Sequence, residues 1–271
     1  MRYLIFAVLA LPFTSCFPVK PLPEDVPLVQ AAALREAPPV AAPAPEPPRV
    51  VVREIYGITF EGVAFDSRDH RLVVADQAGG PGSRFVDSAA AARSVGGIAA
   101  VNAGFFTPEG DPLGLVVAAG KISGSWNTAS SLGSGAWFES RSEKSAIARR
   151  GTISRAEASA MRELIQAGPL LVENRRAASG LEATKSSVRM LILWDGGTRW
   201  WIGRGSPCTL AALGQSLATS PPAGWPVRQA LNLDGGRSSD LWISETVAGG
   251  PLLRRQPWNR PVRNFLILVA R

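Results

Sequence analysis

Apolar residues fall in short runs along this chain, rich in Val, Ile, Leu and aromatic side chains and bounded by glycines or polar pairs. Runs of that kind read as β-strands, and they predict strands over residues 50–53, 58–60, 71–75, 98–101, 115–118, 170–172, 188–194, 200–202, 230–233 and 265–269. Asp195-Gly196-Gly197-Thr198 lies between two of these runs and predicts a hairpin turn, because Gly supplies the positive φ that such turns need. Helical signals are fewer. Ser154 and Glu157 form a capping box ahead of a helix expected over 156–165. Ser206-Pro207 predicts an N-cap and first-turn proline ahead of 209–218, where Leu210, Leu213 and Leu217 share a helical face. The adjacent Trp200 and Trp201 must point to opposite faces of their strand, so at most one is expected to serve the core. Together the pattern predicts an α+β fold: mixed, strand-rich sheets, one or two in number, with a few covering helices in a single domain.

The first 49 residues follow a different rule. All 27 Gly lie from Gly57 onward, while 10 of the 22 Pro lie between Pro18 and Pro48, which sets a boundary near residue 49. Met1 and Arg2 precede an apolar run over 3–11 that is too short to cross a bilayer and has the layout of a secretory leader. Phe13-Thr14-Ser15-Cys16 is similar to a bacterial lipobox, although Phe13 stands where Leu is usual. Residues 1–16 are therefore expected to direct export, with lipidation of Cys16 anchoring the chain to a membrane. Residues 17–49 are rich in Pro and Ala and predict an extended spacer. Charges cancel within the first 49 residues, so the net charge of +7 belongs to the domain at 50–271.

Composition then removes several kinds of chemistry. A chain that is 46% hydrophobic and 19% charged is no disordered polyelectrolyte. Two Cys and one His exclude a disulfide-stapled scaffold and a Cys/His zinc centre, so no metal site is expected and no cofactor is indicated. His70, the single imidazole, precedes a strand in a polar loop, which leaves a His-based triad without a base. Cys208, with Cys16 lipidated, is left as a small buried apolar residue. The sequence pI of about 10.2 does not imply nucleic acid, since the basic residues are dispersed and no recognition motif accompanies them.

The candidate chemistry sits at strand ends. The run Ala230-Leu231-Asn232-Leu233 delivers Asp234 into Gly235-Gly236-Arg237-Ser238-Ser239: a carboxylate, two glycines open to close approach, a guanidinium and two hydroxyls. An ordinary Asp-Gly turn is the alternative. Residues 97–101 likewise deliver Asn102, an amide with donor and acceptor, into Ala103-Gly104-Phe105-Phe106. Lys185 precedes the strand at 188–194, where a cation suits phosphate.

Four ordered segments carry a resemblance: Asn102-Ala103-Gly104-Phe105-Phe106, Asp111-Pro112-Leu113-Gly114-Leu115, Gln166-Ala167-Gly168-Pro169-Leu170-Leu171-Val172 and Asn232-Leu233-Asp234-Gly235-Gly236-Arg237-Ser238-Ser239. They resemble the phosphodiester glycosidase family over most of 50–271. The resemblance implies hydrolysis of a sugar joined through its anomeric carbon to a phosphodiester, on a sugar-phosphate-containing glycoconjugate. It implies catalytic roles for Asp234 and Asn102, and substrate binding by Gly104, Lys185, Gly235, Gly236, Arg237, Ser238 and Ser239. Ala103 and Arg237 stand where the family has Gly, and Lys185 where many members have Arg. A second carboxylate, if needed, falls to Glu109 or Asp111. A surface protein that binds anionic phosphoglycans without cleaving them is the competing reading.

Overall fold

The computed structural model describes residues 44–271; the leader, Cys16 and most of the spacer lie outside them. The described chain is strand-rich, with three short α-helices, Ser88–Arg93, Arg155–Ser159 and Leu210–Thr219. Its strands form three sheets. The first has seven strands in the spatial order Arg49–Ile55, Ile58–Asp66, Arg199–Cys208, Ser187–Trp194, Gln229–Leu233, Leu170–Glu173 and Arg176–Ala177. The second runs Leu252–Arg255, Asp240–Ile243, Ala99–Asn102, Asn264–Ala270, His70–Asp76, and the third Lys121–Ser123, Val116–Ala118, Glu163–Ala167, Gly135–Glu139, Ser145–Arg149. The α+β class stands. The strand pairs are antiparallel throughout, and they fall in three sheets rather than one or two.

One core joins the inner faces of all three sheets. Val63, Met190 and Leu233 come from the first, Val101, Leu241 and Leu266 from the second, and Val116, Trp137 and Ile165 from the third. Each outer face has its own cover. Leu213 and Leu217 of the longest helix pack on the first sheet, Ala91 and Ala92 lie in a cluster with Phe265 and Ile267 of the second, and Ala158 joins Leu164 on the third. Sheets buried on both faces have strands that read as continuous apolar runs, which is why 188–194 and 265–269 show little alternation. The same fact corrects the expectation for the tryptophan pair. Trp200 and Trp201 do face opposite ways, but both are fully buried, one in the central core and the other under the helix.

Two helix expectations change. The Ser154–Glu157 capping box is present in both directions, yet its helix stops at Ser159, and Glu163–Ala167 pairs with Gly135–Glu139 in the third sheet. The later helix is capped by Thr209, whose hydroxyl accepts from Ala212 N at 3.2 Å, while Ser206 and Pro207 finish the preceding strand. The expected Asp195 hairpin forms. Its carboxylate accepts from Gly197 N at 2.7 Å, and Gly196 takes the left-handed φ of 93°.

Gly62 and Gly203 face each other across two central strands, and the Trp201 indole lies over both. A Cβ at Gly62 would collide with that ring and with the Ile202 carbonyl, neither of which can swing away. Gly62→Ala should therefore destabilise the domain by about 1–3 kcal/mol, read as a lower urea midpoint. An unchanged midpoint would mean that Trp201 does not occupy that space.

Candidate active site

Strand pairing brings the scattered motifs to one place. Leu233 pairs with Met190 and Leu231 with Leu170, so the end of Gln229–Leu233 lies beside the start of Ser187–Trp194 and the Gly168-Pro169 entry to Leu170–Glu173. There the chain leaves the first sheet as Asp234 and meets the end of Ala99–Asn102 from the second. Asp234 N donates to Ala103 O at 2.8 Å, and Asn102 Nδ2 donates to the Asp234 carbonyl at 2.6 Å. Asn102 Oδ1 accepts from Asp240 N at 2.8 Å. One buried amide thus holds both ends of the loop 234–240.

Inside that loop the glycines have separate reasons. A Cβ on Gly235 would strike the Val188 carbonyl and crowd the Arg189 backbone, so its bare backbone admits close packing of the neighbouring strand. Gly236 has φ 59° and opens the short turn Gly236–Ser238. Ser238 and the Gly235 N–H hydrogen-bond the Asp234 carboxyl and favour its ionised form. Burial outweighs them and pushes the carboxyl up to about 6.

A second ring of polar side chains holds the loop from behind. Asp240, fully buried, accepts from Ser88 N at 3.0 Å, Ser88 Oγ at 2.6 Å and Arg255 Nη1 at 2.8 Å. Asn259 Nδ2 donates to Ser239 O, and Arg260 N to Arg237 O. Gly104 N donates to Asn264 Oδ1 at 2.6 Å, and Ala103 N to the Asn264 carbonyl at 3.2 Å. Gln166 accepts from Leu115 N and Asn127 N and donates to Asn127 O and Gly133 O, tying the third sheet to the segment that flanks Gly168. Asn232 Nδ2 donates to Gly168 O at 2.9 Å. A pocket of about 260 Å³ opens beside this end of the sheet, among Ser134, Pro169, Leu170, Leu181 and Glu182.

The sequence model of the phosphodiester glycosidase family matches residues 96–269, the stretch that contains Asn102, Asp234 and all the groups around them except Ser88. The chain belongs to the phosphodiester glycosidase family. Among solved structures it is similar to the zebrafish N-acetylglucosamine-1-phosphodiester α-N-acetylglucosaminidase catalytic domain, auto-inhibited by its pro-peptide, with TM-score 0.59, 16% identity and 85% of each chain covered. It is also similar to a hypothetical protein from Synechocystis, with TM-score 0.52, 17% identity, and 85% of this chain and 64% of that one covered. At these identities the likeness is one of fold. No curated protein matches the sequence.

Within this phosphodiester glycosidase the candidate residues divide by position. Asn102 and Asp234 converge, and the Asn102 amide gives its donor to the Asp234 carbonyl and its acceptor to Asp240 N. Gly104 is buried against Asn264. Arg237 and Lys185 are exposed and have no ion-pair partner among the described residues. Lys185 N donates to Glu182 Oε1, and Lys185 O accepts from Arg189 Nη2. Ser239 is buried, and its hydroxyl has no hydrogen-bond partner among the described residues. Glu109 and Asp111 lie exposed on a turn, and none of the described hydrogen bonds links them to the Asp234 loop. Among the described residues no group of three His, Cys, Asp or Glu side chains is placed to hold a metal. Cys208 is buried, with its thiol pushed up to about 11.

Sequence reading passed over Gln166 as a site residue, and also Asp240, Asn259 and Asn264. The signal was present for three of them: Gln166 interrupts an apolar strand, and Asp240 and Asn264 each open one. A polar side chain in such a run must be hydrogen-bonded to be tolerated.

Two stability measurements test this geometry. Asn102→Ala leaves the Asp234 carbonyl and Asp240 N–H without partners and should destabilise the protein by about 2–3 kcal/mol. Asp234→Asn should act in the opposite direction at neutral pH. Between the ordinary 3.8 and about 6 the native carboxyl keeps a proton that the unfolded chain releases, so native stability falls as pH rises through that window and stays low above it. The Asn variant should be up to about 3 kcal/mol more stable than wild type at pH 7.5, and its advantage should shrink towards pH 4. A pH-independent difference in urea midpoints would show that Asp234 is not held at a raised value.

Proposed function

We propose that the protein is exported and hydrolyses a sugar-1-phosphodiester linkage on a cell-envelope or extracellular glycoconjugate, with Asp234 as the reacting carboxylate. The observation that carries this reading is the Asp234 carboxyl itself: half-buried at the meeting of the two sheets, raised to about 6, and followed by the exposed, unpaired Arg237. A carboxyl that titrates there is ionised for most of its time at neutral pH and remains basic enough to take a proton. The leader-like residues 1–16 and the Pro/Ala spacer support export, and a lipid at Cys16 would keep the domain at a membrane.

Attack at the anomeric carbon breaks its bond to the phosphate oxygen, and the electron pair leaves with the phosphate. That group is a stable anion and needs no proton, so the acid half of the usual glycosidase carboxylate pair becomes dispensable. Asp234 either takes the proton of the attacking water or attacks the carbon itself before water replaces it. Both routes require its ionised form. Arg237 and Lys185, exposed and without an ion-pair partner among the described residues, are the cations this reading assigns to the departing phosphate. Asn102 acts through the Asp234 carbonyl and keeps the carboxyl in place.

The full chain, incubated with a sugar-1-phosphodiester, should release free sugar with a rate that climbs with pH through about 6 and then levels. Asp234→Asn should lose at least about a thousandfold in kcat while remaining folded. Full turnover by that variant removes Asp234 from the reaction. Salt-sensitive binding without turnover by wild type would favour a phosphoglycan binder instead.

A further inference from the structure

A groove of about 580 Å³, within the size range of small-molecule sites, lies between the edge strands of the second and third sheets. His70–Asp76 borders it from the second sheet and Lys121–Ser123 from the third. Phe85 and Val95, on either side of the helix Ser88–Arg93 in the chain, also line it. None of its lining residues is among those that hold the Asp234 loop.

Buried polar side chains fix the shape of this groove. Glu163, 3% exposed, accepts from Val74 N at 3.0 Å and from Ala119 N at 3.2 Å, which sets the spacing of the two sheet edges. Ser123 Oγ donates to Asp76 Oδ2 at 2.9 Å across the same gap. Gln77, fully buried, accepts from Arg84 N at 2.8 Å and Phe85 N at 2.7 Å. Amid these fastenings the lining is largely apolar, with Val74, Ala75, Phe85, Val95, Ala118 and Ile122. Val95 and Ile122 remain 50% and 54% exposed. One exposed apolar side chain is ordinary, but two that share a groove mark a surface fit for a ligand.

Charge and hydrogen bonding select the occupant. Asp76 is taken up by Arg263, which donates to it at 2.8 and 3.0 Å. Lys121 and Arg84 are exposed and have no ion-pair partner among the described residues, and the Arg84 guanidinium lies 4.9 Å from the Phe85 ring centre. An apolar floor thus adjoins two uncompensated cations. A second copy of the chain would set those cations against each other. A peptide strand would find the Val74 N–H already given to Glu163, which removes a ladder partner on that edge. An amphiphile with a negative head meets neither obstacle, since its chain needs only apolar surface and its head only a cation.

We propose that this groove binds a fatty-acid anion, with the acyl chain on Val74, Phe85 and Ile122 and the carboxylate at Arg84 and Lys121. The site is separate from the Asp234 chemistry and stands whether or not the protein is a hydrolase.

Calorimetric titration of the full chain with decanoate and dodecanoate, each below its micelle concentration, provides the test. Dodecanoate should bind about fifteenfold more tightly than decanoate, the factor for burying two further methylenes. Dodecyltrimethylammonium, with the same chain and the opposite charge, should bind about tenfold more weakly than dodecanoate. Ile122→Asp should weaken dodecanoate by about tenfold or more. Lys121→Glu, a change at an exposed side chain, should erase most of the preference for the anion. Equal binding of dodecanoate by wild type and both variants overturns the site, and so does a wild type that binds no dodecanoate or prefers the ammonium compound. Sedimentation with phosphatidylglycerol vesicles separates the other source of acyl chains: vesicle binding without dodecanoate binding assigns the patch to a membrane surface and overturns the fatty-acid groove.

Discussion

The site depends on one amide. Asn102 closes the second sheet's central strand and uses its donor on the Asp234 carbonyl and its acceptor on Asp240 N–H, while Ala103 O takes the Asp234 N–H. Those three bonds join the end of a first-sheet strand to two strands of the second, so the loop between them cannot drift without breaking a buried hydrogen bond. The chemistry of Asp234 follows from that fixation. A carboxyl raised to about 6 by burial would normally escape by moving towards water, and its main chain is held where that movement is blocked. The raised value lowers stability, as a site prepared for reaction commonly does.

The supports repeat the same device around the site. Asp240 binds Ser88 and Arg255, Asn264 binds Gly104, Asn259 binds Ser239, and Gln166 satisfies four backbone groups at once. Each is a polar side chain at or just beyond the end of a strand ladder, reaching a neighbouring segment where the ladder's own bonds stop. Irregular backbone buried between sheets has N–H and C=O groups that strand pairing cannot reach, and side-chain amides and carboxylates supply the missing partners. The residues of the family motifs are thus partly ligand candidates and partly the fastening of the loops that carry them.

Much of the central architecture was legible in the residues, because strands buried on both faces are apolar without interruption. The runs at 188–194 and 265–269 needed no tertiary knowledge. Edge strands with mixed side chains were not legible for the converse reason. Ser145–Arg149 and Lys121–Ser123 carry mixed side chains, and only their neighbours make them strands. The stretch after Ser154 shows the competition directly: its capping box starts a true helix, but Leu164 and Ile165 gain more by joining the third sheet, and the helix yields at Ser159. The helix at Leu210–Thr219 was found with its start misplaced, since Thr209 caps it and Ser206 instead accepts from Thr59 N. Asp234 and Asn102 were legible as carboxylate and amide at strand ends. That the Asn102 amide faces backbone was not, because its partners lie 132 and 138 residues away.

The excess positive charge takes on a definite meaning once its partners are known. Glu139, fully buried, has Arg71, Arg162 and Arg271 within 3.5 to 3.8 Å; Glu61 meets Arg204 and Arg254; Asp66, Asp76 and Asp240 each have an arginine of their own. Those guanidiniums neutralise carboxylates that burial would otherwise leave uncompensated, and they are unavailable to a ligand. Their number explains why basic residues look dispersed in the sequence. What separates the candidates for phosphate is the lack of a carboxylate partner together with place: Arg237, Arg260 and Lys185 are exposed, and each lies on a segment that packs against or forms the Asp234 loop.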